Sequence, residues 1–366
     1  MFKVFGAALD ANDDPVKVFA KCSYLNRLAQ KIIDPQKEFL DPYDGLLEFS
    51  QVLQQEKYIK MGKFPIESWL TPKPKIEDFP SLNPEKFQEF TNSGTIAEYS
   101  IKMEGFVRDN ILPDIPLMIG ADHSLTGGVL GALSEEYGPE NILVVIFDAH
   151  FDGIPASISL SLAKYAEENK EKVNVLFPQH LNSAELEAIN LKDSYTCASY
   201  LDYLIKDGVI SPQNLIIFGC QDYPSEDMKA EGDERVKDYI DYYFGFEKKG
   251  VKFIPSSEDK EQMITELGEI LADFNTPYLY ISLDVDVCMF KEVLAARFMN
   301  VIGIEKEIIL NAALKVKDYM DTKNCALIGL DVMEIETYML NKELKKSGEK
   351  DRTVEFVNDF LNIITP

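Results

Sequence analysis

Short apolar runs recur along the chain, and stretches of helical spacing separate them. The runs are KVFGAAL near the start, PLMIGA (116–121), ILVVIF (142–147), NLIIFG (214–219), YLYISL (278–283) and CALIGL (325–330). A short, continuous apolar run reads as a strand buried on both faces. Helical spacing marks 14–33, 124–138 (stopping at Gly138-Pro139), 258–274 and 305–320. Strand and helix in alternation predict an α/β fold whose mostly parallel central sheet is covered on both sides.

The 366 residues read as one domain, 1–366, because no repeat, low-complexity tract or Gly/Ser linker divides them. Two segments fit the alternation less well. Residues 35–92 are Pro-rich and read as a surface-wrapping insertion, and 222–248 mix acids with tyrosines and read as a helix or lid. The C-terminal DRTVEFVNDFLNII has helical spacing and is expected on the outside. A formal net charge of -25 argues against nucleic acid and anionic membranes as partners. No apolar run approaches the ~20 residues of a membrane span, and the acid-rich N-terminus carries no export signal. Five scattered cysteines without a CxxC predict no disulfide framework and a cytoplasmic location.

The chemistry sits where the strands stop. PLMIGA runs into Asp122 and His123, and ILVVIF into Asp148, His150 and Asp152. YLYISL is followed by Asp284 and Asp286, and CALIGL by Asp331 and Glu334. In a parallel sheet the carboxyl ends of the strands share one edge, so these groups converge. Taken singly, Asp122 and Asp331 read as turn residues or helix N-caps. Taken together, so many carboxylates repel one another unless protonated or neutralised by a cation. The i, i+2 spacing at 148, 150, 152 and at 284, 286 points side chains to one face of an extended chain. One such spacing, two residues, covers ~6.5 Å in a strand, which suits two ions ~3.5–4 Å apart. Carboxylates with some imidazole and no thiolate favour manganese over zinc.

These residues resemble the ureohydrolase superfamily of arginase, agmatinase and formiminoglutamase. GADHSLTGG (120–128) is similar to its G-G-D-H-S block; DAHFD (148–152) matches D-A-H-x-D and SLDVDV (282–287) matches S-x-D-x-D. GLDVMEIET (329–337) resembles the segment ending D-x-M-E-x-N-P. The resemblance implies a three-layer α/β/α arginase-like fold with two Mn2+ per chain. His123, Asp148, Asp152 and Asp284 would hold one ion; Asp148, His150, Asp284 and Asp286 would hold the other. It further implies a metal-bridging hydroxide that attacks the planar carbon of an amidine or guanidine. Asp152 would orient the hydroxide and pass a proton to the leaving amine, and Glu334 would pair with the guanidinium. A trimer or hexamer is implied as well.

Departures concern the substrate shell. The third aspartate and the proline that follow S-x-D-x-D are missing, and the Ser/Thr/Asn-rich loop after D-A-H-x-D is unrecognisable. His180 is the only histidine left for the family's proton shuttle. YTCASYLDYL (195–204) aligns with the family's His-Gly-Thr-Pro-Phe stretch, with Thr196 or Cys197 in the histidine's place. In FGCQDYPSE (218–226), Asp222 matches the rim motif G-x-R-D as a substrate-binding candidate, and Gln221 replaces its arginine. The expectation is a dimanganese hydrolase of a small guanidino or amidino compound that is not arginine-specific. The alternatives are a metal-dependent amide deacetylase and a non-catalytic metal-binding member of the fold.

Overall fold

The computed structural model of the chain describes residues 1–11, 15–35, 38, 41–170, 191–298, 303–344 and 348–365. The apolar runs become β1 (Phe2–Ala7), β3 (Ile115–Gly120), β4 (Ile142–Phe147), β5 (Leu215–Phe218), β7 (Tyr278–Asp284) and β8 (Ala326–Met333). Two further strands, β2 (Tyr58–Lys63) and β6 (Lys252–Ile254), complete one sheet in the order β2-β1-β3-β8-β7-β4-β5-β6. Every pairing is parallel.

β4 shows why the runs lack polar residues. Leu143, Val145 and Phe147 enter the core on one side of the sheet. Ile142, Val144 and Ile146 enter the core on the other. Both faces are dry because helices cover both, so period two carries apolar residues at every step. Helices 42–49, 260–273, 306–323 and 353–364 supply the first layer. Helices 84–92, 95–110, 126–137 and 234–249 supply the second. The three-layer α/β/α architecture is therefore the one expected.

The differences lie at the edges. β2 falls inside the Pro-rich 35–92 stretch and pairs with β1 from Phe2↔Tyr58 onward. Past Tyr58 it is increasingly exposed, so it carries no apolar run to betray it. β6 has only three residues. The 222–248 stretch supplies helix 234–249, which buries Tyr239, Tyr243 and Phe246 in the core beside the sheet and Val236 and Ile240 in a small cluster with Tyr165. The C-terminal helix 353–364 is a core layer too: Phe356 and Phe360 are fully buried, and Phe360 meets Phe147 of β4 edge-on at 5.3 Å. No helix among the described residues is long and apolar enough to cross a membrane, and all five cysteines are free.

The chain places β4, β5 and β6 outward in order, then returns to lay β7 and β8 between β4 and β3. The four central strands β3, β8, β7 and β4 are thus the four that end in acids and imidazoles. Such a reversal of strand order opens a crevice at the carboxyl ends, where ligands bind.

Candidate metal centre

β4 stops at Phe147, and the chain does not stay extended beyond it. The Asp148 carboxylate accepts the His150 N–H at 2.6 Å, and the Asp284 carboxylate accepts the Asp286 N–H at 2.8 Å. A short 3-10 turn, Val285–Val287, follows β7. These aspartate-headed turns, not an extended face, bring the i, i+2 residues together.

Three overlapping groups result. His123, Asp148 and Asp152 form one; Asp148, His150 and Asp286 a second; His123, Asp284 and Glu334 a third. Within each, the ligand atoms lie within 4.8 Å of one another. His123 Nδ1 is 3.1 Å from Asp152, 3.3 Å from Asp284 and 3.4 Å from Asp148. His150 Nδ1 is 3.0 Å from Asp286 and 3.7 Å from Asp148. All six residues expected to ligate metal, with Glu334, thus meet at one sheet edge.

Burial sets their electrostatics. Asp148, Asp284 and Glu334 are pushed well above the usual carboxylate range by burial first, and then by the carboxylates beside them. Burial would lower His123, but Asp152 and Asp148 outweigh it and raise it to about 10. His150 is raised well above its ordinary value, with Asp286 and Asp148 overcoming burial. Asp148 Oδ2 and Asp286 Oδ2 are buried and face histidine Nδ1 atoms at 3.4 and 3.0 Å, and the buried Glu334 Oε2 has no hydrogen-bond partner. Buried carboxylate oxygens carry a large desolvation cost that a cation removes. The donor set, oxygen with imidazole, suits a hard divalent ion.

Two residues of the cluster have an unusual backbone conformation. Asp152 and Glu334 adopt left-handed conformations, φ 55° and 59°. For a residue with a side chain this costs of order 1–3 kcal/mol and persists only where neighbours enforce it. Leu201 N–H holds the Asp152 carbonyl at 3.1 Å, and Arg297 N–H holds the Glu334 carbonyl at 2.8 Å. The buried Arg297 guanidinium in turn pairs with Asp10, which also meets Lys21 at 3.4 Å.

Behind His123 lies a network not legible as chemistry in the sequence. His123 Nε2 meets Ser282 Oγ at 2.9 Å, and Ser282 donates to Asp331 Oδ1 at 2.5 Å. Asp331 Oδ2 accepts from Tyr280 at 2.5 Å and Thr126 at 2.8 Å. Ser282 and Asp331 are cross-strand partners in β7 and β8. Asp331 is therefore a buried acceptor and not a turn residue, whereas Asp122 caps Ser124 N–H at 3.0 Å as expected of a turn. The signal for this network was period two: Tyr280, Ser282 and Asp284 alternate along β7 and share a face. Tyr200 lies against the His123 ring, with centroids 5.6 Å apart.

Other candidates fall elsewhere. His180 lies outside the described residues. Thr196 is bonded to Ser199, while Cys197 is half-buried with its thiol pushed up by burial and by Asp122, Glu334 and Asp152. Asp222 is engaged by Tyr243 and by the Phe151 N–H. Gln221 donates its N–H to the Ala149 carbonyl at 2.7 Å.

The chain is similar to known proteins in sequence and in fold. Over 213 residues the chain is 24% identical to an arginase of Staphylococcus aureus, spanning 57% of this chain and 59% of that one. The proclavaminate amidino hydrolase of Streptomyces clavuligerus has the same fold, with TM-score 0.55, 18% identity and coverage of 99% and 91% of the two chains. So has the formimidoylglutamase of Bacillus subtilis, with TM-score 0.53, 14% identity and coverage of 99% and 86%. The arginase family model matches residues 50–345, more than half of the chain, and the chain belongs to the arginase family.

Proposed function

We propose that the chain is a dimanganese hydrolase of a linear amidine or guanidine, cleaving a C–N bond that is not a peptide bond. The observation that carries this reading is the membership of Asp148 in two candidate ligand groups, amid buried carboxylates. His123, Asp148, Asp152 and Asp284 would hold one ion, and Asp148, His150, Asp284 and Asp286 the other. When bound, the pair would supply Lewis acidity and a water whose pKa lies near neutrality.

The chain's own groups do the rest. Asp152 stands at the rim of the cluster with 12% of its side chain exposed. There it would orient the attacking water and pass that water's proton to the leaving amine. The planar fork of an amidinium or guanidinium matches a carboxylate, and Glu334 has an oxygen without a partner to receive it. His180 remains the candidate proton shuttle. The unrecognisable loop after DAHFD supports a substrate other than arginine. A homo-oligomer, trimer or hexamer, belongs to the same proposal.

The test is metal content followed by turnover. After dialysis against Mn2+, two ions per chain are expected, and none in Asp148→Ala/Asp284→Ala. A panel of guanidino and amidino compounds should then release urea, ammonia or formamide. No bound metal, or bound metal with no product across the panel, would sink the proposal.

A further inference from the structure

We infer that Asp222 is a positioning residue that clamps the 148–152 ligand loop to helix 234–249, rather than a contact for substrate. The inference rests on the metal reading above.

The clamp begins where β4 and β5 end. Past the last strand residues, Asp148 N–H donates to the Phe218 carbonyl at 3.0 Å and Gln221 N–H to the Ala149 carbonyl at 2.7 Å. The two loops therefore travel side by side out of the sheet. Between them stands Gly219, φ 105°, where an added Cβ would meet Val287 at 2.5 Å and the Asp148 carbonyl at 3.1 Å. Only glycine permits so close an approach in that conformation.

Asp222 then closes the structure from three sides. Its Oδ2 accepts the Phe151 N–H at 3.3 Å. Its Oδ1 accepts the Tyr243 hydroxyl at 2.6 Å and the Cys220 thiol at 3.2 Å. Its main-chain carbonyl accepts the Tyr239 hydroxyl at 2.5 Å. Tyr239 and Tyr243 are one turn apart on helix 234–249, so they share a face. That face is buried, which makes the helix a fixed anchor.

Phe151 is what the clamp grips. Its ring is fully buried and packs on Tyr243 at 5.1 Å, Phe246 at 4.8 Å and Phe253 at 4.8 Å. Its N–H is held by Asp222. On either side stand His150 and Asp152, which belong to different ligand groups. Fixing one residue by both ring and backbone thus fixes the spacing of both groups. Residues that orient metal ligands from behind typically account for 10–100-fold in metal affinity. The engaged carboxylate also has little accepting capacity left for a substrate.

The test uses Mn2+ alone, with free ion counted by electron paramagnetic resonance, on the full chain. Asp222→Ala and Tyr243→Phe should each weaken Mn2+ binding, the first by about 10–100-fold. Asp222→Asn keeps one carbonyl acceptor and should recover part of the loss. A residue that merely stabilised the fold would lower the melting temperature of the metal-free protein and leave the Mn2+ affinity unchanged. Should Asp222→Ala fail to fold, Tyr243→Phe keeps the ring and decides the matter. Wild type that binds Mn2+, with variants that bind it equally well, overturns the clamp alone. Wild type that binds no Mn2+ overturns the metal reading, and the clamp with it.

Discussion

Asp331→Asn is a sharp test of the network behind His123. The substitution keeps size and shape but exchanges one acceptor for a donor. Asp331 accepts three hydroxyls: Ser282 on Oδ1, Tyr280 and Thr126 on Oδ2. If the amide nitrogen takes the Oδ2 place, two buried hydroxyls lose their acceptor. At about 1–3 kcal/mol each, the cost is roughly 2–6 kcal/mol, a large part of a typical total of about 5–15 kcal/mol. If the nitrogen takes the Oδ1 place, it donates to Ser282, whose proton must then turn toward His123 Nε2. His123 would then carry its proton on Nδ1, the atom that faces Asp148, Asp152 and Asp284. That loses the lone pair a metal needs, and affinity should fall about 10–100-fold. Denaturant unfolding with chelator present reads the first cost, and Mn2+ titration reads the second. A variant within about 0.5 kcal/mol of wild type and with unchanged Mn2+ affinity would refute the reasoning.

Other predictions concern the same centre and its surroundings. Without metal, His123 binds its proton more tightly folded than unfolded, with its pKa raised from 6.5 to about 10. Its contribution is full below pH 6.5 and is lost as pH climbs toward about 10, so the metal-free protein should weaken over that range in thermal melts. Saturating Mn2+ should remove this slope. Asp10 has the opposite sign: burial would raise it, but Arg297 and Lys21 hold it at about 2 against an ordinary 3.8. Its contribution of about 2 kcal/mol should be present above pH 3.8 and fade as pH falls toward about 2, a limb that Asp10→Asn abolishes in acid titrations followed by circular dichroism. Glu334→Gln should keep its metal and lower kcat/KM by roughly 10–150-fold, the worth of a charged hydrogen bond; unchanged kinetics would remove Glu334 from substrate binding.

Much of this protein was legible in its order of residues. Six apolar runs declared six strands, because strands covered on both faces need apolar side chains at every position. Chemistry marked the sheet edge, since acids and imidazoles directly after four such strands must meet there and their charges must be balanced. Residues whose meaning comes from a neighbour distant in sequence stayed hidden. β2 and β6 form because a partner strand waits beside them, not because their own residues insist on it. Asp331 looks like any aspartate after a strand until β7 is laid against β8 and Ser282 comes opposite. Asp222 carries the motif of a rim residue, yet helix 234–249 supplies two tyrosines that turn it toward the backbone of Phe151. Layers, sheet class and the identity of the residues that cluster at the sheet edge thus followed from the order of residues, since they come from local pattern and from charge that must be neutralised. Which polar groups face the centre and which hold it from behind was settled only on folding, because that choice depends on strand order and helix docking across separations of tens to hundreds of residues.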